Sequence, residues 1–390
     1  GWQTGDYVYV DNSYETNGGS WKVWKRDALG IYTFEDALGI NTDLADKKND
    51  NEQFGANLAL STDTRYLAVT AKGAERVLIY NRPRSTDDIS MYAQIVPGIK
   101  NTTNDDEFGS SVAITDNGDT ILVGAPNTED IVKMTAPGPS QDSTRSFARG
   151  QNIIGGDTGA TGTVMRYEEG ATADIFYVKV TSGTNFDDST LNANDSSSVS
   201  IIDKVISDGD RTAQGTVNIV TRDANQQYAI SGNLVSPEVR QGERFGETVA
   251  ISGDGEWIAV GAPGGPNDSA LADSGQVYVF KKGASDSTGL AQYELWQTLT
   301  PNTLSQVGAR FGETITMSGD ATTIAVGVKK YDDSTLVDQG TVFVWKKAGA
   351  TYIEVENLKQ DNAQANTKFG TAIQLSTDGT DLLIGSPREQ

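Results

Sequence analysis

One short pattern occurs five times in this chain, and its fixed register constrains the fold more than any other feature. Each copy opens with Phe-Gly: Phe54-Gly55, Phe108-Gly109, Phe245-Gly246, Phe311-Gly312 and Phe369-Gly370. Sixteen residues after each Phe comes a step of small residues. It reads Thr70-Ala71-Lys72, Gly124-Ala125-Pro126, Gly261-Ala262-Pro263, Gly327-Val328-Lys329 and Gly385-Ser386-Pro387. A recurrence with constant internal spacing marks a repeat architecture, in which one supersecondary unit is copied and stacked.

The copy from Phe245 shows what one unit contains. Phe245 to Ser252 reads as a short strand, and Ser252-Gly253-Asp254-Gly255-Glu256 as a hairpin turn, because Asp-Gly between apolar runs favours one. Trp257 to Val260 is a second strand, stopped by Gly261-Ala262-Pro263. Gly275 to Phe280 is a third and Tyr293 to Leu299 a fourth. Third strands recur at Trp21 to Trp24, Val77 to Tyr80, Val217 to Val220 and Val342 to Trp345. Residue size grows across the unit. The first two strands mix Gly, Ala, Ser and Thr with Val and Ile, and the outer ones carry Trp, Tyr and Phe. That gradient suits a wedge that is narrow at an axis and wide at the rim. The expectation is an all-β chain, a β-propeller of four-stranded antiparallel blades, six or seven in number.

These motifs resemble FG-GAP repeats, the blades of integrin α-subunit propellers and of many secreted or surface proteins. The resemblance covers nearly the whole chain except one insert. Two of the five second halves, Gly124-Ala125-Pro126 and Gly261-Ala262-Pro263, match letter for letter. The expected anchors of the repeat are Phe54, Gly55, Phe108, Gly109, Gly124, Pro126, Phe245, Gly246, Gly261, Pro263, Phe311, Gly312, Phe369 and Gly370.

Both ends fall inside blades. Gly5 to Val10 reads like the second strand Gly255 to Val260, and Phe369 to Pro387 supplies only two strands. The expected organisation is propeller blades over 1–126, the first incomplete, an insert over 127–213, and further blades over 214–390, the last incomplete. The unequal strand counts suggest a piece of a longer polypeptide, or an irregularly used terminal strand. The blade from Phe108 breaks off after two strands and resumes at Gly215. The stretch between is long enough for a small domain. Its runs Ile153 to Val164 and Ile175 to Val180 predict a small barrel-like β module, with polar linkers at Pro137 to Thr144 and Asn192 to Ser198. Thr158 to Val164, with Val178 to Gly183, resembles small β modules in bacteriophage structural proteins.

Net charge is −22, from 31 basic and 53 acidic residues. A nucleic-acid binder needs a basic footprint, and an anionic membrane surface attracts basic segments, so neither partner is expected. No membrane insertion is expected either. The chain has no Cys, which removes disulfide and thiolate chemistry, and no His, which removes the commonest general base and zinc ligand.

Calcium is the one metal the resemblance raises, because many FG-GAP blades bind it in the loop between the first two strands. The loop richest in donors is Asp116-Asn117-Gly118-Asp119, so Asp116, Asn117 and Asp119 are the candidate ligands. Calcium takes six to eight oxygens, and these loops are short of them. Asp and Gly are also what a hairpin turn requires, which is the preferred account, and no cofactor is expected. The acid runs Asp87-Asp88, Asp105-Asp106-Glu107, Asp187-Asp188 and Asp332-Asp333 could in principle cleave a glycosidic bond. Adjacent acids do not face each other across a substrate, so solvated loop charge is preferred. Trp2, Trp21, Trp24, Trp257, Trp296 and Trp345 could stack on sugars, but most recur at strand positions and read as packing. Gly155 to Gly162 lacks the ending of a phosphate loop.

A propeller alone does not name a function. The reading is a non-enzymatic structural or interaction protein in a larger assembly. Its first placement is a bacteriophage virion, as a tail, fibre or capsid-associated component that binds other virion proteins, or a glycan or protein on the host surface. The alternative is an extracellular bacterial adhesin or surface repeat protein. A carbohydrate-active enzyme working through carboxylates is the third.

Overall fold

The computed structural model describes residues 53–82, 90–97, 106–137, 150–155, 159–168, 173–182, 213–265, 273–285, 291–302, 306–333, 336–361 and 364–387. It also describes the strand segments 7–11, 21–26, 32–38, 190–193, 198–200 and 203–205. Four sheets have four antiparallel strands each, and all four start at a Phe-Gly copy. The Phe54 blade is Phe54–Leu60, Tyr66–Ala71, Arg76–Asn81 and Ser90–Ile95. The Phe108 blade is Ser111–Ile114, Thr120–Ala125, Thr216–Arg222 and Tyr228–Val235. The Phe245 blade is Thr248–Ile251, Trp257–Ala262, Gln276–Ser285 and Ala291–Leu299. The Phe311 blade is Thr314–Met317, Thr323–Val328, Thr341–Ala348 and Thr351–Leu358. A three-stranded sheet precedes them (Tyr7–Asp11, Trp21–Arg26, Tyr32–Leu38), and Ala372–Leu375 pairs with Leu382–Gly385 after them. The fold is a β-propeller.

In the four-stranded blades each second strand has a sheet neighbour on both edges. Tyr66–Ala71, Trp257–Ala262 and Thr323–Val328 are buried at every position. Such a strand carries an unbroken apolar run instead of alternation. Phe54, Phe108, Phe245 and Phe311 are all fully buried, and Phe108, Phe245 and Phe311 pack among residues of two blades. Phe311 meets Phe343 and Trp345 edge-on, with centroids 6.1 and 5.4 Å away. Such pairs add a geometric preference to a large apolar burial.

The hairpins between first and second strands are joined from blade to blade by single backbone hydrogen bonds. The N–H of Asp63 donates to Asp116 O at 3.2 Å, and that of Asp116 to Gly253 O at 3.0 Å. Gly253 continues to Gly319 O and Gly319 to Thr377 O, both at 2.8 Å. On the fourth strands a tyrosine hydroxyl ties back to the hairpin of its own blade. Tyr228 donates to Gly118 O at 2.6 Å, Tyr293 to Gly255 O at 2.7 Å and Tyr352 to Ala321 O at 2.6 Å.

Between the second and third strands of the Phe108 blade the chain builds a separate seven-stranded sheet. Its order is Ser198–Ser200, Thr190–Ala193, Asn152–Gly155, Thr161–Glu168, Ala173–Ser182, Ile131–Pro137, Asp203–Val205. The pairing among the described residues runs from one edge to the other and does not close into a barrel. Part of the expected second linker is strand: Asn192 pairs with Ile154 and with Ser198.

Candidate functional site

The repeat's small residues mark where blades touch. A methyl group on Gly124 would overlap the carbonyl oxygen of Gly246 in the next blade, one on Gly261 that of Gly312, and one on Gly327 that of Gly370. The residue three after the motif Phe then bonds to the same carbonyl. Ser111 Oγ donates to Gly246 O at 2.8 Å, Thr248 Oγ1 to Gly312 O at 2.7 Å and Thr314 Oγ1 to Gly370 O at 2.8 Å. In the first copy Asn57 Nδ2 reaches Ser110 O at 2.8 Å. The motif glycines themselves hold φ near +90°, which only glycine adopts without strain. The residue before each motif Phe (Gln53, Glu107, Arg244, Arg310, Lys368) is left-handed too.

The seven-stranded sheet is braced against two blades. Lys179 Nζ pairs with Asp106 at 3.1 Å, both side chains almost wholly buried. Gln214 exchanges two hydrogen bonds with the backbone of Ile131, at 2.7 and 2.9 Å. Arg166 donates to Tyr293 O of the Phe245 blade at 2.8 Å, and Lys133 Nζ to Pro237 O at 2.8 Å. Apolar contact follows the same line, with Ile131, Met165 and Tyr177 packed on Val235 and Val239. Burial pushes the Asp106 carboxyl up, and the Lys179 ammonium offsets that only in part. A cavity of about 410 Å³ opens at this junction, between the insert and the Phe108 blade.

A second charged cluster spans three blades beside it. Glu107 receives Arg244 at 2.9 Å and Lys72 at 3.2 Å, and Arg244 also holds Glu247 at 2.7 Å. Burial alone would raise the Glu107 carboxyl, but Arg244 and Lys72 outweigh it and hold it below the usual glutamate range.

Residues 231–280 match the model of the FG-GAP repeat family. Those residues form an FG-GAP repeat. The span runs from the last strand of the Phe108 blade through three strands of the Phe245 blade, across the contact that Gly124 and Gly246 make. The copies at Phe108, Phe245 and Phe311 place a Gly at the same offset and make the same contact with the next motif Gly, whereas the first copy has Thr70 there and Gly385 of the last meets Ala372 of its own hairpin. No curated protein matches the chain. Solved structures that resemble it include the β-propeller domain of Cps50 (Swd1) from Myceliophteria thermophila, at 12% identity and TM-score 0.37, covering 92% of this chain and 84% of that one. The periplasmic gluconolactonase PpgL of Pseudomonas aeruginosa aligns at 14% identity and TM-score 0.38, over 98% and 97% of the two chains. Hydrazine synthase of Kuenenia stuttgartiensis aligns at 13% identity and TM-score 0.36, over 99% of each. Likeness at this level does not transfer chemistry.

Pro126 and Pro263 are buried at the ends of second strands, and Phe369 is half-buried. The candidate calcium loop is occupied by its own turn bonds. Thr115 Oγ1 donates to Asn117 Oδ1 at 3.1 Å, and Asn117 Nδ2 to Asp119 Oδ2 at 2.6 Å. Asp119 is paired with Arg222, and Asp116 accepts from Thr62 Oγ1 at 2.5 Å. The other FG-GAP hairpins repeat this turn: Ser61, Ser252, Ser318 and Ser376 each donate to the Asp two residues on. Among the described residues no three Asp or Glu come together as a metal cluster.

Of the acid runs, Asp106 departs from the solvated-loop expectation, since it is buried against Lys179. Asp106 and Glu107 also point to different partners. Asp332 accepts from its own loop at Asp338 N, 2.7 Å, and Asp333 pairs with Lys359 at 2.7 Å. Asp87, Asp88, Asp105, Asp187, Asp188 and Trp2 lie outside the described residues, as do the side chains of Trp21 and Trp24. Trp257 and Trp345 are core, whereas Trp296 is partly exposed and donates to Ala350 O at 2.7 Å. Sequence reading missed Lys179, whose role depends on a blade residue 73 positions away. It also missed the glycines ahead of the third strands. A methyl on Gly215, Gly275 or Gly340 would strike the motif Phe backbone of the next blade.

Proposed function

We propose that this chain is a non-enzymatic interaction protein, a rigid FG-GAP propeller that holds a second β-sheet as a fixed recognition element. The observation that carries this reading is the bracing of the insert by the Asp106–Lys179 pair, the Gln214–Ile131 bonds and the Arg166–Tyr293 bond. A tethered module would be free to sample orientations. One held by a buried charge pair and a shared apolar core presents its surface in one orientation, which lowers the entropic cost of binding a partner. The acidic balance of −22 favours partners other than nucleic acid.

The placement we propose is the virion exterior, supported by the short resemblance of Thr158 to Val164 to bacteriophage β modules. The second placement is a bacterial surface, where FG-GAP blades are common parts. Immunogold electron microscopy of the source material with an antibody to this chain separates the two. Gold on phage particles is the expected result. Gold on cell envelopes with clean particles overturns the virion placement.

A further inference from the structure

The cavity at the junction has an origin inside the repeat. In each complete blade the third residue after the left-handed position at the start of the third strand faces the motif Phe. It is Leu78, Tyr278 and Phe343 in three blades, each buried. Tyr278 lies 5.7 Å from Phe245 and Phe343 lies 6.1 Å from Phe311, centroid to centroid. In the Phe108 blade the same place holds Asn218. The side chain that fills this space elsewhere is replaced by a short amide, and the cavity of about 410 Å³ lies beside it, lined by both Phe108 and Asn218.

The residue two before the motif Phe tells a parallel story. Glu243 there accepts a 2.5 Å hydrogen bond from Tyr278, so acid and ring fill the space together. Asp106 holds the equivalent place, and its partner is Lys179 of the insert, which also lines the cavity. The insert thus roofs a space that the blade leaves open. Gly150 and Asn152 stand exposed at its rim.

We propose that this cavity is a binding site for a small uncharged polyhydroxylated ligand, a monosaccharide or a terminal sugar of a glycan. Its volume is at the low end of the range for small-molecule sites. The wall charges cancel, because Lys179 and Asp106 bond to each other. A buried ionic ligand would find no free counter-charge and would carry its desolvation cost uncompensated. The other polar lining groups are amides and hydroxyls, bonded in pairs within the wall (Thr163 to Asn152 at 3.0 Å, Thr128 with Thr216 at 3.0 Å, Asn233 to Asn218), and such groups keep further donor and acceptor capacity of the kind sugar hydroxyls require. Asn218 Oδ1 accepts from Asn233 Nδ2 at 2.9 Å. Val164, Met165 and Ile230 supply apolar wall for a ring's C–H face. The inference goes beyond the proposed interaction role and holds for either placement.

The test is saturation-transfer NMR and titration of the intact chain with D-glucose, D-galactose, D-mannose and N-acetyl-D-glucosamine at millimolar concentration, with glucose 6-phosphate as the charged control. The variants Asn218→Phe and Asn218→Leu restore what the other blades carry, and their thermal melts check folding. The expected result is binding of at least one neutral sugar, no gain from the phosphate, and at least a tenfold loss of affinity in both variants. Failure of all four sugars to bind, tighter binding of the phosphate, or unchanged binding in folded Asn218→Phe or Asn218→Leu would each overturn the proposal. None of these outcomes depends on the immunogold result.

Discussion

Thr248 and Gly312 belong to different blades, and the Thr248 hydroxyl donates to the Gly312 carbonyl at 2.7 Å. The bond repeats with Ser111 and Thr314, so it is a property of the repeat rather than of one site. Thr248→Val keeps the shape and removes the donor. The expected loss is about 1 kcal/mol, the net worth of one such bond. Thr248→Ser should retain most of it. Urea unfolding of the two variants checks this.

Phe311 is fully buried against Phe343 and Trp345. Phe311→Ala removes a ring that two blades share, and a loss of about 3–5 kcal/mol is expected for a truncation of this kind. A thermal midpoint equal to that of wild type would contradict the placement of this residue between blades.

The buried pair predicts a pH signature. The folded-state pKa of Asp106 lies above its unfolded value because burial outweighs Lys179. Its contribution to stability is therefore fully present below the unfolded pKa and lost as pH rises through the folded one. Lys179→Met removes the charge that holds the carboxyl down. The expected cost at neutral pH is about 3–5 kcal/mol, as for a broken buried pair. Lys179→Met with Asp106→Asn should recover much of it, since no charge is then left buried. Denaturation midpoints from pH 4 to pH 8 read both effects.

Glu107 behaves in the opposite sense. Arg244 and Lys72 hold its folded pKa below the unfolded value, so its contribution is present above the unfolded pKa and lost as pH falls through the folded one. Arg244→Gln should destabilise at neutral pH, and the difference from wild type should shrink in acid. A gap that is constant across the acid range would show that Arg244 acts by packing alone.

Much of the fold was legible because the repeat writes it five times. Phe245, Gly246 and Gly261 each have a local consequence, a buried ring, a left-handed turn and a close approach, and local consequences survive in sequence. The Ser-x-Asp turns were legible as turns for the same reason. The site was harder to see. Asn218 looks like an ordinary strand polar residue until it is aligned with Leu78, Tyr278 and Phe343, and the alignment needs the left-handed residue ahead of the third strand (Glu75, Gly215, Gly275 or Gly340) as its reference point. Lys179 could not be matched to Asp106 by any spacing rule, because the contact is made only when the insert folds back onto its blade. Asp106 consequently read as solvated charge.

The account rests on blades interlocked through their small residues, and a pair of glycine variants tests that most directly. Gly261→Ala places a methyl against the Gly312 carbonyl, whereas Gly308→Ala places one in open space at a left-handed residue. The control should cost about 1–2 kcal/mol from backbone conformation alone. Chemical denaturation of both proteins is predicted to show a clearly larger loss for Gly261→Ala, since two backbones must move apart to admit the methyl. Equal or smaller destabilisation by Gly261→Ala would contradict the interlock.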